Sequence, residues 1–161
     1  MFLELEPIFN TPGGCLPFRY PLTGFDGLLP LAAPPLISGQ ARNRAGIVTL
    51  EGQAELRMEA LCDRCAAPFA YEARVSFEHT LVLSRNSDEN DDLVLLGGPR
   101  WSPDGLVWED IVLSLPPKLL CRPGCKGLCP RCGKNLNEGP CPCQPEADPR
   151  LAALQNLLSD I

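Results

Sequence analysis

The sequence predicts an α+β protein: a mainly antiparallel β-sheet or partial barrel with a long hairpin, a short helix, a Cys-rich segment and a C-terminal helix. Three observations carry this. Two long runs alternate apolar and polar residues at period two, with a short polar segment between them. Prolines and glycines number 18 and 14, which leaves little room for long helices. Nine cysteines occur in 161 residues, and six of them fall between Cys121 and Cys143.

Residues 2–6 alternate apolar and acidic side chains and read as a half-exposed strand. Residues 7–40 hold seven prolines and five glycines, which predicts loops and short strands and no helix. Val48, Leu50, Gly52, Ala54, Leu56, Met58 and Ala60 then form one face, against Thr49, Glu51, Gln53, Glu55, Arg57 and Glu59. That is a strand with one wet face. After Cys62-Asp63-Arg64-Cys65 the alternation resumes, with Phe69, Tyr71, Ala73, Val75, Phe77, His79, Leu81 and Leu83 on the apolar side. The two runs predict an antiparallel hairpin with the first cysteine pair at its turn. His79, the only histidine, falls on the apolar face and reads as a packed core residue rather than a ligand. Residues 84–92 read as an acidic solvated loop and 93–96 as a short strand. From Asp104 to Leu115 the spacing of Val107, Ile111 and Leu115 predicts a short helix, with Asp104 as its cap and Pro116-Pro117 as its stop. Asp148-Pro149 opens a last helix in which Leu151, Leu154 and Leu158 share a stripe. The division expected is a β-rich body at 1–115 and a Cys-rich segment with the C-terminal helix at 116–161, forming one unit.

The opening Met1-Phe2-Leu3-Glu4-Leu5-Glu6-Pro7 has neither the basic nor the apolar region of an export signal. The expectation is reduced thiols in a cytoplasm, and an odd cysteine count also suits disulfide pairing poorly. Metal binding fits the spacing better. Cys129-Pro130-Arg131-Cys132-Gly133 has the form of a zinc knuckle. Two intervening residues let both sulfurs turn toward one ion, the turn aims backbone N–H groups at them, and Gly133 permits the left-handed backbone that follows. Cys141-Pro142-Cys143 supplies a second pair, because alternate residues of an extended segment face the same way. The eight residues between Cys132 and Cys141 make a compact site, and Asn135, Asn137 and Gly139 favour a tight return. With Cys15 set aside as an ordinary small residue, eight cysteines remain. They are enough for a further tetrad of Cys62, Cys65, Cys121 and Cys125, which would staple the hairpin turn to the cysteine block. One metal site with four spare thiols is the alternative. A four-cysteine site is closed and structural, and the spacing favours zinc over iron. A dithiol redox role for Cys62 and Cys65 is disfavoured, because such pairs sit at a helix start and here both flanks are strands.

The net charge of −6, from 14 basic and 20 acidic residues, argues against a simple electrostatic nucleic-acid binder. The charge is uneven. Residues 116–150 carry six basic and three acidic side chains, which makes Lys126, Arg131 and Lys134 candidate contacts to RNA or a partner. Four thiolates around a divalent ion carry a net −2, which offsets most of that surplus. The chain has no Gly-rich phosphate loop and no Gly-x-Ser-x-Gly elbow, so no catalyst is expected. No apolar run approaches the ~18 residues of a membrane span.

Several of these residues resemble the YceD family. The likeness lies in Cys62-Asp63-Arg64-Cys65 followed by Phe69, and in Glu109-Asp110-Ile111-Val112-Leu113-Ser114-Leu115-Pro116. It is most specific in the block from Cys125 through Cys129-Pro130-Arg131-Cys132-Gly133 to Asn137, with Cys141-Pro142-Cys143 after it, and it extends to Asp148-Pro149-Arg150. The resemblance implies a bacterial and plastid family tied to accumulation of 23S ribosomal RNA and to large-subunit assembly. The partners it implies are large-subunit rRNA or ribosomal proteins, with no membrane and no small-molecule substrate. It carries over no catalytic residues. Similar proteins without the second cysteine block keep the first pair, which supports the two-tetrad grouping by analogy. The expectation is a non-enzymatic factor with one or two structural zinc ions. A zinc-stabilised protein-interaction module without direct RNA contact is the alternative.

Overall fold

In chain order the elements are β1 (Leu3–Glu4), α1 (Glu6–Asn10), β2 (Cys15–Pro21), β3 (Leu36–Arg44), β4 (Ile47–Leu61), β5 (Pro68–Val82), β6 (Leu93–Leu95), β7 (Arg100–Trp101) and α2 (Asp104–Ser114). A 3-10 turn follows at Leu136–Glu138. The computed structural model describes residues 1–25, 27–83, 93–98 and 100–143. The acidic loop expected at 84–92 and the final helix expected from Asp148 lie outside those residues.

The architecture is α+β. Five strands in the order β2-β3-β4-β5-β6 make one curled sheet, a half-barrel, antiparallel except for the parallel β5–β6 pair. The period-two runs are its spine: β4 and β5 pair from Val48↔Leu81 to Leu61↔Pro68. On β4 the expected apolar face is the buried one, with Val48, Leu50, Ala54 and Met58 fully enclosed. On β5 the buried residues are Val75, Phe77 and Leu81, while Leu83 lies past the strand end and is exposed. The curl has a local cause. Gly39 and Gly52 face each other across β3 and β4. A Cβ on Gly39 would sit 2.3 Å from the Glu51 carbonyl oxygen, and one on Gly52 would sit 2.6 Å from the Phe77 ring. Only glycine allows the backbones and rings to come this close.

Helix α2 forms where expected and closes the core with Val107, Trp108 and Ile111, and Trp108 stacks on Phe25 with centroids 4.6 Å apart. Its cap differs from expectation. The residue before the helix is Pro103, no side chain caps it, and the Asp104 carboxylate instead takes the amino-terminal ammonium of Met1. His79 also differs. It is only partly buried, and its Nε2 lies 2.7 Å from Asp110 Oδ2 on α2, so it fastens helix to sheet and stands apart from the cysteines.

Two expectations at the N-terminus are corrected. The strand at 2–6 shrinks to Leu3–Glu4, and Glu6–Asn10 is a helix. Pro7 lies in the first turn of α1, where its missing N–H would have no partner anyway, so it starts this helix rather than barring it. In β2, Pro17 and Pro21 are accommodated because the strand is at the sheet edge. Buried Asn43 ties the two regions together: its Nδ2 donates to the Ile8 carbonyl at 2.8 Å, and its Oδ1 accepts from the Gly46 N–H at 2.9 Å.

Candidate metal centres

The hairpin tip and the segment after α2 meet at four sulfurs. At the tip, the Cys62 N–H donates to the Ala67 carbonyl (2.9 Å) and the Ala66 N–H to the Cys62 carbonyl (2.8 Å). The same construction recurs at Cys129: its N–H donates to the Lys134 carbonyl (2.8 Å), and the Gly133 N–H donates to the Cys129 carbonyl (2.9 Å). The left-handed residue of the first knuckle is Ala66 (φ 55) and that of the second is Gly133 (φ 71). Both are therefore metal-knuckle turns. The glycine cue marks only the second in the sequence.

The sulfurs group as the spacing suggested. Cys62, Cys65, Cys121 and Cys125 form one cluster, and Cys129, Cys132, Cys141 and Cys143 form another, each with its sulfurs within 4.8 Å of one another. Cys62 and Cys125 Sγ are 3.7 Å apart, and Cys65 and Cys121 Sγ are 3.8 Å apart. A tetrahedral ion with metal–sulfur bonds of about 2.3 Å needs sulfurs about 3.8 Å apart, whereas a disulfide needs about 2.05 Å. Both clusters can therefore hold a metal ion. Cys15 lies apart, exposed, and donates to Gln40 Oε1 at 2.9 Å.

The thiols within each cluster are shifted unevenly. Backbone N–H groups, first that of Cys121, lower the Cys62 thiol to about 6. The Cys132 and Arg131 N–H groups lower Cys129 to about 6. Their neighbours go the other way. Burial, then the bonds to Cys62 and Cys65, push Cys121 up to about 12. The bond to Cys132, with burial behind it, pushes Cys143 up to about 12, and Cys129 does the same in direction to Cys141. Cys65 is raised as well: the Ala67 N–H pulls it down, but burial and the bonds to Cys62 and Cys125 outweigh this. Each cluster thus ionises in part on its own, and a divalent ion, if bound, would let all four sulfurs carry charge together.

The two sites differ in their surroundings. The first is packed by Phe69, Leu120 and Ala67, and only Cys121 of its ligand set is more than marginally exposed. In the second, Cys132 is exposed and Cys141 and Cys143 are half-buried. Three supports were missed by sequence reasoning because nothing local marks them. The Arg64 Nη1 donates to the Cys125 carbonyl at 2.9 Å, and Asp63 Oδ2 accepts from the Leu119 N–H at 2.5 Å. Asn137, read only as a turn former, donates from Nδ2 to Cys125 Sγ at 3.3 Å, and this bond is the main reason that thiol is lowered. Of the three candidate partner-binding cations, Lys126, Arg131 and Lys134 are all exposed, and the Lys134 ammonium donates to the Pro140 carbonyl at 3.0 Å.

The family model described as "Large ribosomal RNA subunit accumulation protein YceD" matches residues 50–158, a span that contains both cysteine clusters. The chain belongs to the YceD family. Curated relatives include the uncharacterized protein Rv2926c of Mycobacterium tuberculosis and the uncharacterized protein Mb2951c of Mycobacterium bovis. Each is 29% identical over 101 residues, covering 60% of this chain and 49% of the relative. This YceD-family chain thus spans about half the length of the curated relatives it matches. No solved structure matches it significantly. The family's name ties it to ribosomal RNA accumulation. Among the described residues no helix is long and apolar enough to cross a membrane.

Proposed function

We propose that this protein is a non-enzymatic factor that supports 23S rRNA accumulation and large ribosomal subunit biogenesis in the cytoplasm, with two structural zinc ions. The observation that carries the reading is the family match over both cysteine clusters. The zinc would be held by Cys62, Cys65, Cys121 and Cys125, and by Cys129, Cys132, Cys141 and Cys143. Four thiolate ligands complete a tetrahedral shell and leave no position open to substrate, so zinc here would supply folding energy rather than chemistry. In this reading the Cys-rich segment and the β-rich body work as one unit, because the first tetrad takes two ligands from each.

Exposed Lys126, next to Cys125 of the first tetrad, and exposed Arg131 and Lys134, flanking Cys132 of the second, would meet RNA phosphate. Elemental analysis of purified protein should give two zinc per chain, and depletion in the host should lower 23S rRNA. Protein without metal, or unchanged 23S rRNA, would overturn the respective half of the proposal. The acidic total of −6 favours a second reading, contact through basic ribosomal proteins. Binding to precursor 23S rRNA across a salt series separates the two. A steep salt slope that flattens in Arg131→Ala and Lys134→Ala supports RNA contact, and no binding at low salt supports the protein partner.

A further inference from the structure

Asn137 belongs by position to the second cysteine cluster and by hydrogen bonding to the first. It sits in the 3-10 turn between Cys132 and Cys141, yet its Nδ2 donates to Cys125 Sγ at 3.3 Å. The amide is fully used. Its other Nδ2 hydrogen goes to Asn135 Oδ1 at 2.8 Å, and its Oδ1 accepts from Arg122 Nη2 at 2.6 Å and from the Lys126 N–H at 2.9 Å. Two donors at the oxygen fix which end of the amide faces the sulfur. An N–H aimed at a ligand sulfur stabilises its charge and sets its orientation.

What holds Asn137 there is the loop of the second cluster. Its backbone N–H is capped by Asn135 Oδ1 at 3.0 Å, Leu136 N–H donates to the Gly127 carbonyl at 2.9 Å, and Cys129 N–H donates to the Lys134 carbonyl at 2.8 Å. The loop's two ends are Cys132 and Cys141, both in the second cluster. An ion bound there would fix both ends and so hold the donor on Cys125.

We infer that Asn137 is a positioning residue that couples the two cysteine clusters, so that metal on the second slows metal loss from the first. This rests on the reading of both clusters as metal sites. Where the slower loss reflects tighter binding, the coupling is reciprocal, and metal on the first cluster then also favours metal on the second.

The test uses the full chain loaded with zinc and the rate at which each ion passes to an excess of chelator. Asn137→Asp keeps an oxygen for Arg122 and Lys126 and removes the donor to sulfur. It is expected to bind two zinc and to release the first-cluster ion about tenfold faster or more. Dismantling the second cluster with Cys141→Ser and Cys143→Ser should speed that same release by a similar factor. Combining the changes should add little, because both remove one bond. Arg122→Ala, which leaves both clusters and the amide intact, should act in the same direction by a smaller factor. With cobalt in place of zinc, the thiolate-to-metal absorption of Asn137→Asp should shift, which a purely structural role would not produce. Wild-type release rates in Asn137→Asp, or factors that multiply fully in the combined variant, would overturn the coupling. Wild-type protein that binds fewer than two zinc would instead overturn the two-site reading beneath it.

Discussion

Ala66 holds a left-handed backbone (φ 55) at the place where the second knuckle has Gly133. That conformation costs an L-residue about 1–2 kcal/mol. Glycine avoids that cost but gives part of the gain back, because its freer unfolded chain loses more entropy on folding. Ala66→Gly is therefore expected to raise stability by up to about 1 kcal/mol without changing metal content, as read by denaturant unfolding and elemental analysis. Asn43 is a contrasting case. It is buried and serves the Ile8 carbonyl and the Gly46 N–H at once. Asn43→Ala removes two hydrogen bonds, although the Ile8 carbonyl keeps the Thr11 N–H and Gly46 lies on an exposed turn, and a loss of about 1–3 kcal/mol is expected in the same measurement. Sequence reading shows the limits of this scale. The cysteine spacing marks the pairs Cys62/Cys65 and Cys129/Cys132, because sulfurs that close in sequence can turn to one side, whereas which pairs meet is set by the fold. The outer bonds of Asn137 and Arg64 were hidden, because they depend on segments 12 and 61 residues away in the chain.

Among the elements, the hairpin was the most legible. Its alternation is long, and one face of β4 is buried end to end. β2 and β3 carry the same period more weakly: Pro17 and Pro21 mask the first, and Gly39 interrupts the second. Helix α1 was misread because proline at a first turn and proline in a loop look alike in sequence. The two knuckles are built alike and surrounded differently, which sets how much each contributes to the fold. The first lies under Phe69 and Leu120 at the tip of the central hairpin, while the second has Cys132 in solvent. Cys62→Ser should lower the melting temperature more than Cys141→Ser, because only the former opens a buried site that joins the hairpin tip to the segment after α2. Equal shifts in the two variants would contradict this ordering.

For the molecule as a whole, a metal ion would compete with protons for the same sulfurs. Cys65 and Cys121 in one cluster, and Cys141 and Cys143 in the other, are raised above the ordinary thiol value and hold their protons near neutral pH. Each ion bound must displace at least those two, so affinity rises with pH and weakens as pH falls. The loss steepens below about 6, where Cys62 and Cys129 also take up protons. Zinc titration calorimetry in buffers of different ionisation heat should therefore show two or more protons released per ion. The first cluster also joins residues 56 apart in sequence, Cys65 and Cys121. On the chain-entropy account, a covalent link over a loop of that length stabilises by about 4 kcal/mol. A thiolate-bound ion does this job without oxidation, and it can be withdrawn. Above its dissociation constant, each tenfold rise in free zinc adds about 1.4 kcal/mol to the folded state. If zinc is the ion, the protein's lifetime would become a gauge of metal supply, and its protease half-life at stepped free zinc should follow that slope.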